Sequence, residues 1–221
     1  MKTLLLAVIV FASTLLSPRP LSAQEAGGDP EHIKRYEGST LFTTETERYT
    51  QYELLLSPRK RGLHASVEES YTKMEKLEGS LTRLGYVVPD KERTVLEIYR
   101  NYQEDLAANG WEILFNGFGD KELGGRIFGT STRVKQAFQG TQTIETALKE
   151  AAYIAARRTD PNGDTYATIY VVKYDNGLLG KHGKTIQKDM TLVKVDVIKP
   201  KSMERRMVFV DASKMQQDIA K

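Results

Sequence analysis

Apolar and polar residues alternate along this chain with two different periods, and residues 94–118 show both in succession. Val95, Ile98, Tyr99, Tyr102 and Leu106 recur at i, i+3, i+4, i+7 and i+11, which makes one apolar stripe on a helix. Arg100, Gln103, Glu104 and Asp105 fall on the wet side. Thr94 with Glu97 has the T-x-x-E spacing of a capping box, and Asn109-Gly110 offers a left-handed residue to close a helix over 94–109. The period then drops to two. Trp111, Ile113 and Phe115 alternate as one buried face of a strand.

Upstream, Leu41-Phe42 predicts a short first strand and residues 49–56 a longer one, with Tyr52, Leu54 and Leu56 on one face and Gln51 and Glu53 on the other. Residues 67–88 predict a long two-part strand or hairpin with bulges or a bend at Gly79 and Gly85. Within it Leu77, Leu81 and Val87 share one parity, and Leu84, Tyr86 and Val88 the other. Residues 117–129 read as a glycine-rich loop. Residues 143–150 suit a short helix, followed by a strand to about Arg158. Asp160-Pro161-Asn162-Gly163-Asp164 is a turn. Residues 165–175 make the clearest strand, and 191–198 the last strong one, stopped by Pro200. Val208-Phe209-Val210 and a helix-like tail over 212–221 follow. Strands dominate, and many are adjacent in sequence. The expected fold is α+β: a mostly antiparallel sheet packed by one main amphipathic helix (94–109) and one or two shorter helices.

The first residues change the picture by giving an address. A basic start at Lys2, an apolar run over 4–16, helix-breaking Pro18 and Pro20, and small Ala23 are the parts of a secretory signal peptide, with cleavage expected after Ala23. The apolar run is shorter than the roughly 20 residues that a membrane-spanning helix needs. Cleavage removes Lys2 and Arg19, so the formal charge of +3 falls towards neutrality and carries no nucleic-acid signal. The chain has no cysteine. That excludes a disulfide framework, a thiol nucleophile, a thiolate metal site and a lipoprotein anchor. The expectation is a soluble periplasmic protein: residues 1–23 a signal peptide, 24–31 a flexible leader, 32–211 a single α+β domain, 212–221 a helical tail or linker.

Candidate chemistry is sparse. His32, His64 and His182 lie far apart in sequence and match no metal motif. Asp160, Asn162 and Asp164 open like a calcium loop, but Thr165 stands where glycine is needed and Val171 where a bidentate glutamate is, so a hairpin turn explains them. The run G-F-G-D-K-E-L-G-G lacks the ending of a phosphate loop, and no G-x-S-x-G elbow occurs. No catalytic residue, cofactor or metal is therefore expected. The contact surface is sought in two basic loops, Arg59, Lys60, Arg61 and Lys181, His182, Lys184, which suit lipid headgroups or acidic glycan. Tyr166, Tyr170 and Tyr174 stand in line on one strand face. They read as a half-buried sheet surface with hydroxyls at its rim, or as an aromatic platform for a glycan or peptide.

Several stretches together resemble one family. They are residues 32–39 (HIKRYEGS), 77–82 (LEGSLT), 97–102 (EIYRNY), 110–115 (GWEILF), 163–166 (GDTY) and 208–212 (VFVDA). The set is similar to the uncharacterised N-terminal domain of OmpA-family envelope proteins of Gram-negative bacteria. In such relatives a tail like residues 215–221 leads into an OmpA-like domain that binds peptidoglycan. The present sequence ends at Lys221, so that activity is not carried over, and the family offers no catalytic residue. The resemblance implies a non-catalytic envelope protein whose partners are outer-membrane or cell-wall components, with no nucleic acid. The alternatives are a periplasmic enzyme or small-ligand carrier with a site assembled from distant residues such as His64, His182 and Asp164, or a truncated form of a peptidoglycan-associated OmpA-family protein.

Overall fold

The computed structural model describes residues 28–60, 67–124, 150–174 and 186–207. Along them run β1 (Thr40–Leu55), α1 (Val67–Ser70), β2 (Met74–Val88), α2 (Val95–Ala108), β3 (Glu112–Phe118), α3 (Gly119–Leu123), β4 (Ala151–Asp160), β5 (Gly163–Lys173) and β6 (Thr191–Pro200). The strands form one sheet in the order β1-β2-β6-β5-β4-β3, with every neighbouring pair antiparallel. A mostly antiparallel sheet with few helices agrees with the α+β expectation. Strand β6 comes last among these elements yet sits between β2 and β5, where it joins the β1–β2 pair to the β3–β4–β5 meander.

Helix α2 forms where its pattern and caps direct. The Thr94 hydroxyl accepts from the Glu97 N–H at 3.1 Å, and the chain leaves the helix through Asn109 and a left-handed Gly110 (φ +79). Val95, Ile98, Tyr99, Tyr102 and Leu106 are its buried residues, the stripe expected from spacing. Burying an apolar side chain of this size stabilises by about 1.5–3 kcal/mol. The stripe rests on β3, β4 and β5 and meets Leu84, Tyr86, Val193, Val195 and Ile154. On the opposite face Leu77, Leu81 and Val87 gather with Leu192, Ile198 and Tyr153. The two parities foreseen in residues 67–88 thus separate onto the two faces of the sheet.

Several local expectations are corrected. The two strands expected around 41–42 and 49–56 are one strand, β1. Its middle, Thr43-Thr44-Glu45-Thr46, has no apolar alternation, and pairing with β2 carries it instead. Extra residues on β1 shift its register beside Gly85 and beside Gly79, the two glycines read as bulge markers. Residues 67–88 begin as the helix α1. The Ser57 hydroxyl then accepts from the N–H groups of Thr72 (3.1 Å) and Lys73 (3.0 Å) and steers the chain into β2. Phe115 does not share a face with Trp111 and Ile113: a register shift between Ile113 and Phe115 turns Phe115 to the opposite core. The glycine-rich stretch starts as the end of β3 and the helix α3, not as loop. The expected strand after 150 is β4, and the turn at 160–164 closes the β4–β5 hairpin. The signal peptide, the helix over 143–149 and the tail from Val208 lie outside the described residues.

Gly79 is a point of close approach between β2 and β6. It pairs with Pro200, and a Cβ there would stand 2.2 Å from the Lys199 carbonyl oxygen. Gly79→Ala is expected to lower the unfolding free energy by about 1–3 kcal/mol, measured by urea denaturation. An unchanged midpoint would contradict the close approach.

Candidate functional site

On β6, Lys194 and Asp196 lie between Leu192 and Ile198 on the face opposite α2, and both are 0% exposed because the strand is covered on both sides. Charges at that depth need partners. Asp196 has three. Arg83 Nε donates to its Oδ1 at 3.1 Å, while the Tyr52 hydroxyl and Lys194 Nζ approach its Oδ2, each at 3.0 Å. The Tyr52 and Thr168 hydroxyls share a hydrogen bond of 2.6 Å. Arg83 Nη1 reaches the Glu45 carboxylate, near the rim, at 3.1 Å. Strand register explains the convergence: Glu45 pairs with Arg83, Arg83 with Asp196, and Asp196 with Thr168, a single row across β1, β2, β6 and β5.

Burial pushes the Lys194 ammonium down to about 8, with the Asp196 charge opposing it. Burial, then the negative charge of Asp196, holds the Tyr52 hydroxyl well above its ordinary value. Tyr153 is raised in the same way, by burial first and then by Tyr71 and Asp196. A lysine poised near neutrality beside a carboxylate is a combination that enzymes use for proton transfer and imine chemistry. Here its Nζ is directed onto Asp196 in the middle of a sheet. The row therefore acts as a cross-strand clasp. No motif or spacing in the sequence pointed to it. Its signal is the alternation of residues 192–198, where Lys194 and Asp196 share parity with Leu192 and Ile198.

The residues expected to form a contact surface fall elsewhere. Tyr166, Tyr170 and Tyr174 are 7%, 4% and 0% exposed and belong to the core, so they form neither a rim nor a platform. Their face reads as surface in isolation, but it lies on the inner side of the sheet. Arg59 is also buried. Its N–H bonds the Leu123 carbonyl at 2.9 Å and it bridges to Tyr71, so it belongs to the packing beneath α3. Lys60 is exposed. Arg61, Lys181, His182, Lys184 and His64 lie outside the described residues. His32 adjoins Glu31, and Asp164 accepts from the Thr159 hydroxyl at 2.7 Å beside Arg157. Among the described residues no group of three or more His, Asp or Glu is placed to hold a metal ion.

The α2 face carries a cleft of about 570 Å³ between the helix and residues 34–38. The Tyr36 hydroxyl donates to Glu97 Oε1 at 2.9 Å and Arg93 to the same oxygen at 2.6 Å; these bonds, Tyr36 first, hold the Glu97 carboxyl below its usual range. Lys34 pairs with Asp105 at 3.0 Å, and the Tyr36 N–H donates to the Tyr102 hydroxyl at 3.2 Å. The anchor extends into the stretch expected to be a flexible leader, where Asp29 accepts from the Tyr86 hydroxyl (2.9 Å) and from Arg35 (2.7 Å). Residues 29–38 are thus a strap across the helix, and Lys34, Tyr36, Arg93, Glu97, Tyr102 and Asp105 of this cleft are engaged with one another.

No model of a known protein family matches the chain, and no curated protein matches it. Among the described residues no helix is long and apolar enough to cross a membrane.

Asp196→Ala leaves Arg83 and Lys194 buried without their shared acceptor, and a stability loss of about 3–5 kcal/mol is expected in denaturant titration. The pH dependence has a definite sign. With its ammonium pKa at about 8 against an ordinary 10.5, Lys194 binds a proton in the unfolded but not the folded chain within that interval. Stability should therefore rise with pH from about 8. Tyr52 and Tyr153 stay protonated in the fold above their ordinary 10.0, so stability should fall again beyond that point. Lys194→Met should flatten the rising limb in denaturant midpoints taken across this range. A limb that survives the substitution assigns it to another group.

Proposed function

We propose that this protein is a non-catalytic, exported component of the Gram-negative cell envelope, and that it acts by binding another envelope component. The observation that carries this reading is the closed row on β6. The buried charges of this row, Arg83, Lys194 and Asp196, pair with one another and with Glu45 at the rim and hold strands together. A self-neutralised interior leaves recognition to the surface. The leader-like residues 1–23 and the resemblance to the OmpA-associated domain support a periplasmic location, and the absence of cysteine argues against a lipid anchor at the cleavage site. In this reading α2 is the main helix of one domain over 32–211, with one or two shorter helices beside it.

Expression of the full chain in a Gram-negative host tests the address. The expected product is released by osmotic shock, with a mass that places its N-terminus at Gln24. Cross-linking in intact cells should then recover a specific envelope component. Protein retained in the cytosol with residues 1–23 attached would overturn the proposal.

A further inference from the structure

The sheet face under α2 continues past the end of the helix, and a second cleft of about 490 Å³ opens there. Its floor is a row on three neighbouring strands. Arg158 of β4 pairs with Thr165 of β5, and the adjoining β5–β6 pair, Tyr166 with Ile198, sets Lys199 beside Thr165. Strand spacing puts the two cationic residues about 10 Å apart with the threonine between them. They share the parity of Ala156, Ala167 and Val197, the apolar face that α2 covers. One wall is the chain at 28–32. Another is Trp111, whose indole N–H donates to the His32 carbonyl at 3.1 Å.

Unlike those of the interior row, the cations of this cleft are not all paired. Arg158 meets Asp160 through Nη2 at 3.2 Å, while its Nη1 is buried and has no hydrogen-bond partner. A buried donor without an acceptor costs about 1–3 kcal/mol, and more when it is charged. Among the described residues no carboxylate pairs with Lys199, which is exposed. Of the acids nearby, Asp29 pairs with Arg35 and Asp160 with Arg158, while the exposed Glu31 lies 3.2 Å from His32 Nε2. What remains is one guanidinium edge, one ammonium and the threonine between them, in a cleft of the size that holds small molecules.

We propose that this cleft binds an oxyanion, the carboxylate or phosphate of a small ligand, held between Arg158 and Lys199 over Thr165. A guanidinium edge and an ammonium are the donors that such groups favour, and Trp111 and Pro30 stand in the walls beside the rest of the ligand. The inference gives the envelope-binding reading a site and rests on it. In that setting the two sources of the oxyanion are an acidic saccharide and a phosphorylated one.

Calorimetric titration of the purified mature protein with inorganic phosphate, glucuronate and glucose separates the outcomes. Saturable binding of phosphate or glucuronate, with glucose weaker, is the expected result. Preference for one anion over the other names the source. Arg158→Gln and Lys199→Gln should each weaken binding by about tenfold or more, whereas Arg157→Gln, outside the cleft, should not. Should Arg158→Gln fail to fold by circular dichroism, the exposed Lys199→Gln variant still decides. The proposal falls if neither anion binds, if glucose binds as tightly, or if the cleft variants bind like wild type. Failure here leaves the export experiment untouched. A cytosolic protein that still binds the anion would instead sink the envelope reading and keep the cleft.

Discussion

A carboxylate at the centre of a sheet covered on both faces must collect its donors from the strands around it, and Asp196 does so. Desolvating such a charge costs several kcal/mol unless its oxygens are well matched. Arg83 arrives from β2, Lys194 from two residues away on the same strand, and Tyr52 from β1, with Thr168 of β5 completing the row. The consequence is positional. A slip of β2 by one residue against β6 would set a leucine or a threonine opposite Asp196 and move Arg83 to the α2 face. The row pins the register of strands that otherwise pack through interchangeable valines and leucines.

The opposite face works by apolar contact and by a strap. Helix α2 covers β3, β4 and β5, and residues 29–38 are tied to it by Tyr36 and Lys34 and to β2 by Asp29. The helix stops at Asn109 and Gly110, where the chain turns back through Trp111 into β3. Beyond that stop, among the described residues, the strap and Trp111 wall the far ends of β4, β5 and β6. Arg158, Thr165 and Lys199 emerge there.

Charge is thus used in two ways within one sheet. In the middle of β6 it is paired inside and tightens the fold. At the strand ends it is partly unpaired and faces a cavity. The tyrosines divide similarly. Tyr52 donates within the interior row, Tyr36 and Tyr86 fasten the strap, and Tyr166, Tyr170 and Tyr174 line the core. Their abundance suggested an aromatic display surface, and they serve inside because β5 is flanked by β4 and β6 and covered on both faces.

Local signals were enough for some of this. The stripe and caps of α2, the turn at 160–163, the bulges beside Gly79 and Gly85 and the two parities of β2 were all legible in the sequence, because each depends on neighbours a few residues away. The turn of Phe115 away from Trp111 was not, since one extra residue in a pairing reverses a period-two pattern. The placement of Lys194, Asp196 and Arg158 was also hidden. Alternation along a strand shows that two faces exist and is silent about which strands lie alongside and what covers them. By itself the sequence determined where the chain turns and which residues travel together; only the tertiary structure decided which of them meet, because strand order and register are settled by contacts between residues as distant as Arg83 and Asp196.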